Sequence, residues 1–130
     1  MGVPRMAMPR IFRILLIEDD LLVQYAMTEG LTEAGHVVAV VATVNEAVQA
    51  LSASPAFDVI TLDLCLGTEH GEDIFVRLRQ LGIAFAPVLI ISAEMDNEIR
   101  RVARIIPTSH YLRKPVTIQQ ICDLADMAVA

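Results

Sequence analysis

The sequence predicts a one-domain α/β protein in which five strand–helix units wind around a parallel sheet. Three observations carry this expectation. Apolar, β-branched runs recur at Ile14–Ile17, Val37–Val41, Val59–Leu62 and Val88–Ile91, with a shorter one at Tyr111–Leu112. Between them, apolar residues repeat at helical spacing. The 130 residues fit one domain and leave little room for a second.

Continuous apolar runs of this length read as strands buried on both faces, as in a parallel sheet. Each intervening helix has its own signals. Leu22, Val23, Ala26, Met27, Leu31 and Ala34 mark the first helix, with Gly35 as its stop and Asp20 as a candidate cap. Thr43-Val44-Asn45-Glu46 is a capping box that opens the second. Ile74, Phe75, Leu78 and Leu81 mark the third, stopped by Gly82, and Ile99, Val102 and Ala103 a short fourth. A second capping box, Thr117-Ile118-Gln119-Gln120, opens a fifth helix with Ile118, Ile121, Cys122, Ala125 and Val129 on one face. Right-handed crossovers turn this (βα)5 pattern into a doubly wound, three-layer sandwich, and five strands fit the flavodoxin-like order 2-1-3-4-5.

Residues 1–10 contain two prolines and three methionines without periodicity and are expected to form a mobile tail, leaving 11–130 as the domain. Met6 stands where a myristoylation signal needs Ser or Thr, and no apolar segment suits a signal peptide. No apolar run reaches the roughly 18–20 residues of a membrane span, so no membrane role is expected. Two cysteines, Cys65 and Cys122, make no disulfide framework and point to the reducing cytoplasm. A formal charge of −6 without a basic motif argues against direct nucleic-acid binding. The charges are unevenly spread. Residues 14–98 hold 14 acids and only two arginines, whereas 99–122 hold Arg100, Arg101, Arg104, Arg113 and Lys114 and no acid. Those arginines read either as a strip that docks an acidic target or as an ordinary solvated face. Lys114 is the only lysine.

In an open parallel sheet, ligands bind beyond the carboxyl ends of the strands. Glu18, Asp19 and Asp20 follow the first strand, Asp63 ends the third, Ser92 ends the fourth, and Lys114-Pro115 follows the fifth. Strands 1 and 3 are neighbours in the expected order, so Asp19 and Asp63 should face one another. Clustered carboxylates are costly without a cation, and hard oxygen donors with no His or Cys cluster point to Mg²⁺. Lys114 adds an ammonium and Ser92 a hydroxyl. A metal, an ammonium and a hydroxyl converging on one carboxylate suit a phosphoryl group attached to that carboxylate.

Four stretches then carry a family resemblance: Ile14-Leu15-Leu16-Ile17-Glu18-Asp19-Asp20, Asp58-Val59-Ile60-Thr61-Leu62-Asp63-Leu64, Ile90-Ile91-Ser92-Ala93 and Tyr111-Leu112-Arg113-Lys114-Pro115. From about Ile11 to Ala130 the chain resembles the receiver domains of two-component response regulators, in particular single-domain, chemotaxis-regulator-like ones. The resemblance implies that Asp63 accepts a phosphoryl group from a sensor histidine kinase or a histidine phosphotransfer protein. It implies that Asp19 and Asp63 hold Mg²⁺ directly, Glu18 through water, and that the Cys65 carbonyl completes the protein ligands. Ser92 would be the switch hydroxyl, Lys114 the phosphate-contacting cation and Tyr111 the rotating aromatic. The switched surface would span the fourth helix, fifth strand and fifth helix and control a downstream target protein, with a phosphorylation-dependent dimer as one outcome. Nothing after the fifth helix reads as an output domain, so the expected output is a partner protein. Such a protein is an acceptor with autophosphatase activity, not a turnover enzyme.

One departure from the family pattern is Gly67, four residues after the acceptor, where proline is usual; Gly71 matches the family's glycine. The loop Leu66–Gly71 is therefore expected to be less rigid. Cys65 reads as a small buried thiol, His36 and His110 as strand-edge residues, and His70 as a loop residue. Two other readings stay open. An aspartyl-phosphate hydrolase would want an acid two residues after the nucleophile, where Cys65 stands. A receiver-shaped interaction module that is never phosphorylated is compatible with any fold of this kind.

Overall fold

The computed structural model describes residues 10–53, 56–93, 96–106 and 109–130. The tail expected over 1–10 lies outside the described residues, Arg10 excepted. The elements are β1 (Arg13–Ile17), α1 (Leu21–Glu33), β2 (Val37–Val41), α2 (Val44–Ala53), β3 (Val59–Leu62), β4 (Cys65–Leu66), β5 (Glu69–His70), α3 (Asp73–Gln80), β6 (Val88–Ser92), α4 (Asp96–Ile105), β7 (Ser109–Arg113) and α5 (Ile118–Val129).

Five strands form one parallel sheet in the order β2-β1-β3-β6-β7. Leaving aside the small β4–β5 hairpin, this is the expected 2-1-3-4-5. Alternation along the strands feeds two cores. Leu15, Ile17, Ile60, Leu62 and Ile90 pack with Val48, Phe75 and Val102 under α2, α3 and α4. Ile14, Val59, Leu89 and Ile91 pack with Leu31, Ile121 and Ala125 under α1 and α5. β1, β3 and β6 are buried on both faces, which is why they are continuous apolar runs.

The edge strand β2 is different. Its sequence is as apolar as the others, but Val37, Ala39 and Val40 are exposed, because only β1 pairs with it. In α1 only Leu31 is buried. Val23 and Met27 are half-buried, while Leu22, Ala26 and Ala34 are exposed, so the apolar spacing there is wider than the face that packs.

The helix starts follow the sequence signals closely. The Asp20 Oδ1 accepts from the Leu22 and Val23 N–H groups at 2.9 and 3.2 Å, capping α1. Thr117 and Gln120 form a reciprocal capping box on α5. At α2, Thr43 Oγ1 accepts the Glu46 N–H at 3.1 Å, but the Glu46 carboxylate reaches back to the Ala42 N–H at 2.9 Å, one residue beyond the expected partner.

The segment after Asp63, which reads as a loop in the sequence, is a short hairpin. Cys65 pairs with His70 and Leu66 with Glu69 in an antiparallel hairpin, closed by Gly67 and Thr68. Gly67 has φ +62°, a value proline cannot adopt and one that two-residue hairpin loops require. Glycine therefore builds a turn here instead of loosening one. Alternation along the hairpin turns Leu64 and Leu66 inward and Cys65 outward, so Cys65 is an exposed thiol and not a buried one. His70 is a strand residue of the same hairpin. His36 is buried and accepts the Phe12 N–H on Nδ1 at 3.0 Å.

The hairpin returns to α3 through Gly71, whose N–H donates to the Leu64 carbonyl at 3.1 Å. A Cβ there would stand 2.9 Å from both the Asp63 carbonyl oxygen and Leu62 Cδ1. Gly71→Ala should therefore cost about 1–3 kcal/mol of stability, the range for forcing an extra methyl into a packed site. Chemical denaturation measures it, and an unchanged midpoint would show that the backbone yields without strain.

Candidate functional site: an acidic cleft at the carboxyl edge of the sheet

Because β1 and β3 are adjacent and in register, their ends bring three acids together. The Asp63 N–H donates to the Ile17 carbonyl at 3.1 Å, continuing the ladder past β3. Carboxylate oxygens of Glu18, Asp19 and Asp63 all lie within 4.8 Å of one another. Asp20 turns away to cap α1. Glu18 is buried; its Oε2 accepts the Asp20 N–H at 3.2 Å, and its carbonyl accepts the Gln24 side-chain amide at 2.6 Å.

Lys114 enters from the end of β7. Its Nζ lies 3.1 Å from Asp63 Oδ2 and 3.5 Å from Glu18 Oε1. Its own N–H donates to the Ser92 carbonyl at 3.0 Å, which fixes where the stem begins. Asp63 Oδ1 accepts the Cys65 N–H at 3.0 Å, so both oxygens of this carboxylate have donors. Ser92 is the buried last residue of β6, and Tyr111 on β7 is 47% exposed. Gly67 at the hairpin turn stands beside Asp19, where a Cβ would come within 3.7 Å of Asp19 Oδ2. The expected residues thus gather at one edge: the three acids clustered with Lys114 touching Glu18 and Asp63, Cys65 through its backbone N–H, Ser92 next to Lys114, and Tyr111 exposed.

Burial pushes the Glu18 carboxyl up from its ordinary 4.5 to about 7; the Asp20 N–H opposes this, the Asp63 charge adds to it, and Lys114 opposes it. Burial works against the Lys114 charge, but the hydrogen bond and charge of Asp63, aided by Glu18, outweigh it and hold its pKa above the ordinary lysine value. A set of hard carboxylate donors is chemically suited to a divalent oxygen-seeking cation such as Mg²⁺, whose charge would favour the ionised form of Glu18.

Some residues at the site have roles that no sequence signal announced. Glu69 Oε1 accepts the Val44 N–H at 3.1 Å, tying the hairpin tip to the start of α2. Glu72, buried at the start of α3, pairs with Arg101 Nη1 of α4 at 3.0 Å, and Arg101 Nη2 pairs with Glu98 at 2.9 Å. Arg101 is thus committed within the chain, so the expected basic strip loses that member. The Glu69–Val44 and Glu72–Arg101 contacts join residues far apart in sequence, which local spacing does not reveal.

Fold and site together define a doubly wound α/β protein with a cation-competent acidic cleft at the carboxyl edge of its sheet. The model of the response regulator receiver domain matches residues 14–126, and the chain belongs to that family. Members are phospho-acceptors of two-component systems, generally phosphorylated by histidine kinases; they act on downstream targets and bind Mg²⁺ at an acidic site. Among curated relatives, the response regulator protein PmrA of Pseudomonas aeruginosa is 36% identical over 110 residues, 84% of this chain and 48% of its own length. The sensory/regulatory protein RpfC of Xanthomonas campestris is 29% identical over 125 residues, 93% of this chain and 17% of its own. The chain therefore spans about half, or less, of these relatives' lengths. Among solved structures, the Vibrio cholerae chemotaxis protein CheY4 superposes with a TM-score of 0.79 at 20% identity, covering 92% of this chain and 99% of that one. The receiver domain of the sensor histidine kinase PA1611 of Pseudomonas aeruginosa, solved with a magnesium ion in its active-site cleft, gives 0.79 at 20% identity, covering 92% and 98%. These two show the shared fold. No helix among the described residues is long and apolar enough to cross a membrane.

The raised Glu18 pKa gives a pH dependence with a definite sign. Without metal, folded Glu18 binds its proton more tightly than unfolded Glu18 does. Its contribution to stability is thus fully present below about pH 4.5 and is lost as pH rises through about 7. The melting temperature in chelator should fall by about 5 °C between pH 5 and 8, and saturating Mg²⁺, which binds the ionised form, should remove the fall. Thermal melts with and without Mg²⁺ measure this; a flat profile in chelator counts against the assignment.

Proposed function

We propose that Asp63 accepts a phosphoryl group from a phosphohistidine on a sensor histidine kinase or a histidine phosphotransfer protein. The observation that carries this reading is the contact of one carboxylate, Asp63, with the chain's only lysine at 3.1 Å inside a cluster of acids able to hold a cation. A carboxylate oxygen of Asp63 attacks phosphorus as the bond to the donor imidazole breaks, and the imidazole leaves. Asp19, Asp63 and the Cys65 carbonyl would hold Mg²⁺, with Glu18 acting through water. The ion would supply positive charge opposite the phosphoryl oxygens. Lys114 takes a second oxygen of the phosphoryl group and keeps the new acyl phosphate oriented. Ser92 takes a third and Tyr111 follows inward, which changes the surface of α4, β7 and α5 that a downstream target or a second copy of the chain would read. Hydrolysis of the acyl phosphate at the same site resets the protein. This autophosphatase step does not make it a turnover enzyme. The reading places the protein in the cytoplasm, where both cysteines stay reduced.

The test is intact mass after incubation with a small-molecule phosphodonor and Mg²⁺. Wild type should gain one phosphoryl group, and neither Asp63→Asn nor wild type in chelator should. Full labelling of the Asn variant would mean another residue is the acceptor.

A protein donor also needs a docking face beside Asp63. The start of α1 presents Leu21, Leu22 and Tyr25, which are 76%, 83% and 71% exposed. An apolar groove of about 440 Å³ is lined by Val23 and Met27 of the same helix with Ile91, Lys114, Pro115 and Val116. Large exposed apolar side chains next to the acceptor fit the apolar face of a donor helix. Leu22→Asp should slow transfer from the cognate protein donor by about tenfold or more while labelling by the small phosphodonor is unchanged. Equal losses with both donors would place the defect in the site itself.

A further inference from the structure

β3 is apolar at Val59, Ile60 and Leu62, yet Thr61 stands among them, 1% exposed. Its Oγ1 is shielded from solvent and has no hydrogen-bond partner among the described residues. Valine would fill the same volume without an unpaired hydroxyl, and buried polar groups that persist in native structures have partners. Strand alternation places Ile60 and Leu62 in the core under α2, α3 and α4, and Thr61 on the opposite face, which α1 and α5 cover. A cavity of about 10 Å³ lies there, lined by Thr61, Glu18 and Asp63 together with Met27 and Ile91. That volume just admits one water molecule and nothing larger. Thr28, the other described side chain with an unpaired buried hydroxyl, does not line this cavity.

We infer that this cavity binds one water molecule, which accepts a hydrogen bond from the Thr61 hydroxyl and donates one each to the carboxylates of Glu18 and Asp63. Three partners are the usual number for a buried water, and the arrangement balances. The hydroxyl gains an acceptor, the Asp63 carboxylate gains a donor, and Glu18 accepts through an unprotonated oxygen whether or not it carries its proton. Thr61 is thereby a positioning residue. It touches neither phosphoryl group nor cation and acts through water on two of the three clustered acids. This second part rests on the Mg²⁺ reading above; the water itself does not.

The test pairs structure with titration on the full chain. Crystals of the wild type, at a resolution that places waters, should show density within hydrogen-bond distance of Thr61 Oγ1 and Glu18. Thr61→Val should lose that water, keep the fold by circular dichroism and bind Mg²⁺ about tenfold more weakly by calorimetry. Thr61→Ser, which keeps the hydroxyl, should keep both water and affinity. A dry cavity in the wild type overturns the inference whatever the variants do. A Thr61→Val protein that binds Mg²⁺ as tightly as the wild type overturns the positioning role while leaving the acidic site intact. A wild type that does not bind Mg²⁺ at all overturns the metal reading and the positioning role together, and density alone then decides the water.

Discussion

The structure turns on a conflict of like charges. Two unit charges 4 Å apart near a protein surface interact by about 4 kcal/mol, and three carboxylates here have oxygens within 4.8 Å of one another. The sheet leaves them no alternative. β1 and β3 run parallel as neighbours, so whatever follows Ile17 and Leu62 emerges at one level on one edge. Two local devices relieve the repulsion. Lys114 touches Asp63 and Glu18 at once, and Glu18 retains its proton to about pH 7. Both are partial, so the cluster keeps a local excess of negative charge of the kind that suits a divalent cation.

The surroundings hold this conflict in place. The hairpin of β4 and β5 brings the Cys65 N–H onto Asp63, closes over Asp19 at Gly67, and is clipped to α2 by Glu69. Lys114 cannot drift, because its own backbone is bonded to Ser92 at the end of β6. Each of these supports involves a main-chain group, while Glu69 and Lys114 add the reach of two long side chains. The fold and the site are therefore one design problem: the strand ends set where the charges are, and the loops keep them from relaxing apart.

Much of this was legible in the sequence, and the reasons are particular. Ile14–Ile17, Val59–Leu62 and Val88–Ile91 announced buried strands because both their faces are covered, and the polar residue ending each run marked the functional edge. Asp20 and Thr117 announced helix starts because capping needs only residues two or three apart. The misreadings have equally local causes. Val37–Val41 lies at the edge, as the order 2-1-3-4-5 requires, but its apolar run reads as buried on both faces when Val37, Ala39 and Val40 are exposed. The spacing of Leu66–Gly71 reads as a plain loop, and the hairpin that Gly67 closes at φ +62° depends on pairing that the sequence does not announce. The contacts of Glu69 with α2 and of Glu72 with Arg101 join residues about 25 to 30 positions apart, and no spacing rule reaches that far.

The Arg101 pair has a consequence of its own. Its guanidinium holds Glu72, which directly follows the glycine pressed against the Asp63 carbonyl, and it does so from the middle of α4. The seat of α4 and the closure of the acceptor hairpin therefore share one free energy, and such sharing is reciprocal. A shift of α4 that broke this pair would free Glu72 beside Gly71, so the pair links the placement of α4 to the backbone behind Asp63.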